Sequence, residues 1–193
     1  MSDRWRESDV PRGAAYDRRF ERLAEAGVDV HGEAVLVDSY GPGAVLDAGC
    51  GTGRVALELS RRGHEVVGLD VDRAMLDAAR HKAPGLRWVE GDLADPALEF
   101  GRTFDVVVMA GNVLIFVRHG TEGAVIANAA RWLAPGGLLV TGYTLRPGGF
   151  GPTEHDALAE RVGLELEERW STWDRHPFST DDDYAVSVHR RRR

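Results

Sequence analysis

One ten-residue run constrains this chain more than any other: Val45-Leu46-Asp47-Ala48-Gly49-Cys50-Gly51-Thr52-Gly53-Arg54. A short buried strand leads into a glycine-rich turn, and the turn opens a helix over 53–62. Glycines at alternate positions let backbone approach a ligand with no Cβ in the way. The helix start adds unpaired N–H groups and a partial positive charge. From here to the end of the chain, short apolar runs alternate with helical segments. Strands are predicted at 45–48, 65–69, 86–90, 104–109 and 138–143, and helices at 53–62, 73–82, 119–133 and 153–162. The near-continuous apolar run FDVVVM and the start of LLVTGY suit strands covered on both faces. Strands alternating with helices imply right-handed crossovers and a parallel sheet. The last two strands, 164–173 and 184–189, alternate apolar and polar residues around the polar loop WDRHPFSTDDD, which predicts an antiparallel pair. The fold class is therefore α/β: a seven-stranded, mostly parallel sheet with an antiparallel strand at its C-terminal end and helices on both faces.

The rest of the chain reads as a cap and a tail on one domain. Residues 1–12 are polar and predict a frayed start. Residues 14–26 place Tyr16, Phe20, Leu23 and Ala24 on one helical stripe, and a second helix is predicted from about His31 to Tyr40. This gives a helical cap over 1–43, a core over 44–190 and a basic tail over 190–193. The tail, four arginines after His189, reads as the solvated end of the last strand. Twenty-three of the 24 basic residues are arginine, and the chain is rich in Ala and Gly, which hints at a GC-rich bacterial genome. The net charge of −7 argues against broad binding to nucleic acid. A single cysteine, Cys50, makes no internal disulfide and is expected to pack in the turn. With no apolar leader and no apolar stretch near ~20 residues, a cytoplasmic chain without a membrane partner is expected. The seven histidines show no metal-ligand spacing, so no metal is expected.

Carboxylates stand at the ends of successive strands. Asp47 lies just before the glycine turn, where it would repel a pyrophosphate and attract a ligand carrying an ammonium and a sulfonium. The Gly-x-Gly-x-Gly spacing also differs from the Gly-x-Gly-x-x-Gly of dinucleotide folds. Asp70 ends the second strand, 21 positions after Gly49, and can accept both hydroxyls of a ribose. Asp92 follows the third strand and can accept from an adenine amino group, with the Leu93 N–H facing a ring nitrogen. Ala110, Gly111 and Asn112 follow the fourth, small enough for backbone carbonyls to reach a ligand. The competing reading makes Asp70 and Asp92 helix caps or loop acids.

Taken in order, VLDAGCGTGR, GLDVD, VEGDL, FDVVVMAGNVL and LAPGG resemble the class I S-adenosylmethionine-dependent methyltransferases, of the small bacterial type with little besides the core fold. The resemblance spans roughly residues 30–190. It implies a Rossmann-like sheet of order 3-2-1-4-5-7-6 with strand seven antiparallel, and S-adenosylmethionine as cofactor. It also implies roles: Gly49, Gly51 and Gly53 along the methionine part, Asp70 on the ribose, Val71 and Met75 on adenine, and Asp92 and Leu93 at its edge. Tyr16 would close over the cofactor, and Arg54 would reach its carboxylate or else form a structural ion pair.

Methyl transfer from a sulfonium is an in-line displacement, so the protein mainly holds acceptor and methyl about 3–3.5 Å apart and aligned. Where the acceptor must lose a proton, candidates for contact are Asn112, His119 and Tyr143, with Arg146, His155 and Trp173 nearby. The fourth strand ends Met-Ala-Gly-Asn, not Asn/Asp-Pro-Pro-Tyr, which argues against adenine or glutamine amide acceptors. No insertion provides a separate substrate domain, so the expected partner is a small-molecule acceptor. Two alternatives remain at this point: a nicotinamide-dependent oxidoreductase and a non-catalytic S-adenosylmethionine-binding protein.

Overall fold

The computed structural model describes residues 3–193, and in it the strand–helix alternation closes into one sheet. Its strands are β1 (Ala44–Ala48), β2 (Glu65–Asp70), β3 (Arg87–Glu90), β4 (Phe104–Met109), β5 (Leu133–Thr144), β6 (Leu164–Trp170) and β7 (Tyr184–Arg191), in the order β3-β2-β1-β4-β5-β7-β6. The pairs β1–β2, β1–β4, β2–β3 and β4–β5 are parallel, while β7 runs antiparallel to both β5 and β6. This is the order that the sequence resemblance implies.

Alternation along each strand divides the core into two layers. Leu46, Leu69, Val107 and Leu139 face one side, under α7 (Glu122–Trp132) and α8 (Pro152–Arg161). Val45, Val66, Val106, Val108 and Val140 face the other, under α3 (Gly32–Asp38) and α4 (Arg54–Arg61). β1 is buried along its whole length, whereas the edge strand β6 is largely open. Among the described residues no helix is long and apolar enough to cross a membrane.

Four boundaries differ from the sequence expectation. The chain passes straight from α7 into β5 at Leu133, so Pro135-Gly136-Gly137 lies inside a strand and does not end a helix. Gly136 takes a left-handed φ of 81°, the register slips between Phe104 and Val106, and a Cβ on Gly137 would lie 2.9 Å from the Asp105 carbonyl oxygen. The glycines thus form a bulge within the strand. β6 ends at Trp170, short of residue 173. Arg190 and Arg191 belong to β7 and are no tail: Arg190 pairs with Glu167 at 2.5 Å, and Arg192 beyond it with Glu165 at 2.6 Å. Residues 3–12, expected to fray, form a short helix α1 (Asp3–Arg6) and fold back onto α5 (Arg73–Lys82). A further helix, α6 (Val113–Phe116), follows Asn112, and α2 spans Ala14–Glu25.

Candidate functional site

The glycine turn is pinned to the end of β2. The Gly49 and Cys50 N–H groups both donate to the Leu69 carbonyl, at 2.7 and 3.0 Å, and Gly51 N–H donates to Asp70 Oδ2 at 2.7 Å. Gly49 holds φ at 81°, and a Cβ there would lie 2.5 Å from Val113 of α6. Two strand ends and a helix therefore meet around this turn, and a cavity of about 410 Å³ opens beside it.

Asp47, Gly49, Gly51, Asp70, Val71, Met75, Asp92, Leu93, Ala110, Tyr16 and Arg54 all stand on that cavity's wall. Gly53, expected among them, does not. A Cβ on Gly53 would sit 2.4 Å from the Trp88 ring, so this glycine makes room for a neighbouring side chain and starts α4 with φ 83°.

The carboxylates sit in distinct environments. Asp47 is 2% exposed, and its Oδ2 accepts from Ala56 N–H at 3.0 Å. Burial pushes its carboxyl up to about 7, partly offset by the Ala56 hydrogen bond and the Arg54 charge. Asp70 accepts from Gly51 N–H on one oxygen and from Asp72 N–H, at 2.8 Å, on the other. Burial raises it too, opposed by those backbone donors. Asp72 caps α5 through Ala74 N–H at 2.9 Å, and its second oxygen accepts from Trp5 Nε1 at 2.9 Å and Arg12 Nε at 3.1 Å. Arg54 forms a two-pronged ion pair with Glu33 and also lines the cavity.

The acceptor-side candidates separate. Asn112 lines the cavity in a left-handed conformation (φ 72°), and its Oδ1 accepts from Thr144 N–H at 2.6 Å. Arg146 lines it as well. Tyr143 lines neither cavity: it is fully buried beneath α8, with its hydroxyl 3.3 Å from His155 Nδ1. Burial raises Tyr143 and drives His155 down to about 3. His119 projects to solvent near Glu122, off the cavity wall. Trp173 packs over Gly142 and donates to the Tyr184 hydroxyl at 3.2 Å.

Several wall residues carry no signal that sequence reasoning used. Trp5, Val10, Arg19 and Phe116 all face the cavity, as does Phe20 of the predicted helical stripe. The lone aromatic in MSDRWRESDV and the apolar run after Asn112 were the available clues. A second cavity, of about 690 Å³, abuts the first and shares Val10, Arg19, Phe116 and Arg146 with it.

Comparison with known proteins meets this geometry. A family model described as a methyltransferase domain matches residues 45–137. The crystal structure of a TehB-like S-adenosylmethionine-dependent methyltransferase from Corynebacterium glutamicum superposes with a TM-score of 0.84 at 38% identity, covering 93% of this chain and 97% of that one. The chain belongs to the S-adenosylmethionine-dependent methyltransferases. This assignment sets the nicotinamide alternative aside. Among curated methyltransferases, the magnesium-protoporphyrin O-methyltransferase of Rhodobacter capsulatus is 39% identical over 92 residues, 45% of this chain and 39% of its own length. The cypemycin N-terminal methyltransferase of a Streptomyces species is 41% identical over 96 residues, 48% of this chain and 38% of its own. The chain thus spans about two fifths of the length of these curated relatives.

Proposed function

We propose that this protein transfers a methyl group from S-adenosylmethionine to a small-molecule acceptor. The observation that carries the reading is the convergence of Asp47, Asp70 and Asp92 with the Gly49–Gly51 turn on one cavity at the carboxyl ends of the parallel strands, the position where open α/β sheets take ligands. The donor chemistry fits the group. Asp47 Oδ2 is taken by Ala56, while its other oxygen has no hydrogen bond among the described residues and can meet an ammonium. The Asp70 carboxylate keeps acceptor capacity beyond its backbone donors for a ribose hydroxyl. Val71 and Met75 offer an apolar face to adenine, with Asp92 and Leu93 at its edge. The Ala110 carbonyl faces the amino-acid end, and Tyr16 covers the ligand from α2.

Bound S-adenosylmethionine supplies an electrophilic methyl on a sulfonium. The chain's own residues then orient the partners and exclude water. With Tyr143, His155 and His119 lining neither cavity, no general base is assigned, and catalysis rests on proximity and alignment. The second cavity has the size of a small-molecule site, which is commonly about 300–1,000 Å³, and this supports a small acceptor.

Calorimetric titration with S-adenosylhomocysteine and with NADH tests the cofactor, and turnover of methyl-labelled S-adenosylmethionine across an acceptor library tests transfer. Micromolar binding of S-adenosylhomocysteine is expected. NADH binding with no response to S-adenosylhomocysteine would overturn the reading.

A further inference from the structure

The wall between the two cavities carries an uncommon pair of charges. Around the site, most arginines are already engaged: Arg12 with Asp72 at 3.1 Å, Arg54 with Glu33, Arg118 with Asp92 at 3.9 Å, and Arg4 with Glu122 at 3.7 Å. That is the expected outcome in a chain whose 31 acidic side chains outnumber its 24 basic ones. Arg19 and Arg146 are different. Neither has a carboxylate within ion-pair distance among the described residues, although both line both cavities.

Each of the two is positioned by its element. Arg19 stands on α2 between Tyr16, which faces the first cavity, and Phe20, whose ring lies 4.4 Å beneath the Arg54 guanidinium. Arg146 begins a tight turn in which Gly149 N–H donates to its carbonyl at 2.9 Å. Phe150 then buries itself against Tyr143, ring centroids 5.5 Å apart, and anchors that turn to the core. Val10, Ile115, Phe116 and Phe150 give the second cavity an apolar wall, and Ser8, Thr144 and the Glu122-paired Arg4 line it as well. Glu7 and Asp9 line the second cavity but not the first. Two unpaired guanidiniums therefore mark the junction, whereas the charges that line the second cavity alone, Glu7, Asp9 and the Glu122-paired Arg4, leave an excess of one carboxylate. An acceptor with a single anionic end has one favourable orientation in such a field.

We propose that the second cavity binds a methyl acceptor bearing an anionic head group, a carboxylate or a phosphate, on an apolar body, with Arg19 and Arg146 as the specificity-determining anchors. This rests on the methyl-transfer reading above. Planar guanidiniums suit both head groups through paired N–H donors, and the aromatic wall suits the body.

The test uses the protein saturated with S-adenosylhomocysteine, titrated calorimetrically with benzoate, phenyl phosphate and benzamide. These share one ring and differ in head-group charge. At least about tenfold tighter binding of the two anions than of benzamide is expected, from charge-assisted hydrogen bonds. Comparing benzoate with phenyl phosphate shows which head group the anchors prefer. In Arg146→Gln and in Arg19→Gln, anion affinity is expected to fall about fivefold or more, with benzamide and S-adenosylhomocysteine affinities held within about twofold. Equal binding of benzamide and the anions, no binding of any probe, or an anion preference that survives both substitutions would overturn the proposal. So would loss of S-adenosylhomocysteine affinity in Arg19→Gln, which would assign that arginine to the cofactor. Failure of the unsubstituted protein to bind S-adenosylhomocysteine at the loading step overturns the methyl-transfer reading itself, so the two failures are told apart.

Discussion

The indole N–H of Trp5 donates to Asp72 Oδ2 at 2.9 Å, across 67 residues of sequence. The contact joins α1 to the cap of α5 and lays the N-terminal segment along the mouth of the first cavity, where Trp5 and Val10 form part of the wall. Arg12 reinforces it, with its guanidinium 3.8 Å over the Trp5 ring and its Nε on the same carboxylate oxygen. Trp5→Phe keeps the ring and removes the donor. It is expected to weaken S-adenosylhomocysteine binding by about 0.5–1.5 kcal/mol, the net value of one hydrogen bond. Calorimetry reads this, and an unchanged dissociation constant would detach the strap from ligand binding.

Asp70 is the hub of the turn, since its two oxygens hold Gly51 and Asp72. Asp70→Ala is expected to cost about 1.5–3 kcal/mol in S-adenosylhomocysteine affinity, the range for hydrogen bonds to a charged group. Asp70→Asn separates charge from shape. If either variant binds as tightly as the unsubstituted protein, the ribose assignment is wrong.

With Asp47 meeting the ligand ammonium as proposed, binding is expected to depend on pH. In the free protein its carboxyl titrates near 7, because burial opposes its charge. A ligand ammonium favours the ionised form, so binding displaces a proton when the group starts protonated. Affinity for S-adenosylhomocysteine should rise as pH increases from about 5.5 to 7.5 and then level off. Asp47→Asn should flatten that profile. A profile with the same slope in the variant would exclude Asp47 as its source.

Trp88 stacks across two glycines. A Cβ on Gly68, its register partner in β2, would lie 2.3 Å from the ring, and one on Gly53 would lie 2.4 Å away. Gly68→Ala should destabilise the fold by about 1–3 kcal/mol, the usual penalty for overpacking. In the Trp88→Leu background the same change should cost much less, a coupling that thermal denaturation of the four proteins measures.

His155 on α8 and His189 on β7 are buried side by side, ring centroids 4.5 Å apart. Burial lowers both, His155 to about 3. The unfolded chain therefore takes up protons near pH 6.5 that the folded chain refuses. Stability from this pair is full above that value and falls as pH drops towards 3. His155→Phe should show a shallower loss of melting temperature between pH 6.5 and 4.5. An unaltered slope would place the acid sensitivity elsewhere.

Local pattern by itself determined the strands, the glycine turn and the acids at strand ends. Each depends on short-range periodicity or on spacing from a strand terminus. The sheet order followed from the motif series, and the structure has it. Tertiary structure alone decided which of the end residues line the cavities. Tyr143 stands near the end of β5, but packing against Phe150 and against His155 of α8 takes its ring into the core and off both cavity walls. Likewise Gly53 shares its spacing with Gly49 and Gly51, yet a ring from β3 claims the space beside it. The return of Trp5 to Asp72 and the convergence of Arg19 and Arg146 on the same cavities depend on packing between segments far apart in the chain. Periodicity reports which residues turn inward. It does not report which distant segment they will meet, because that is set by how the finished layers pack.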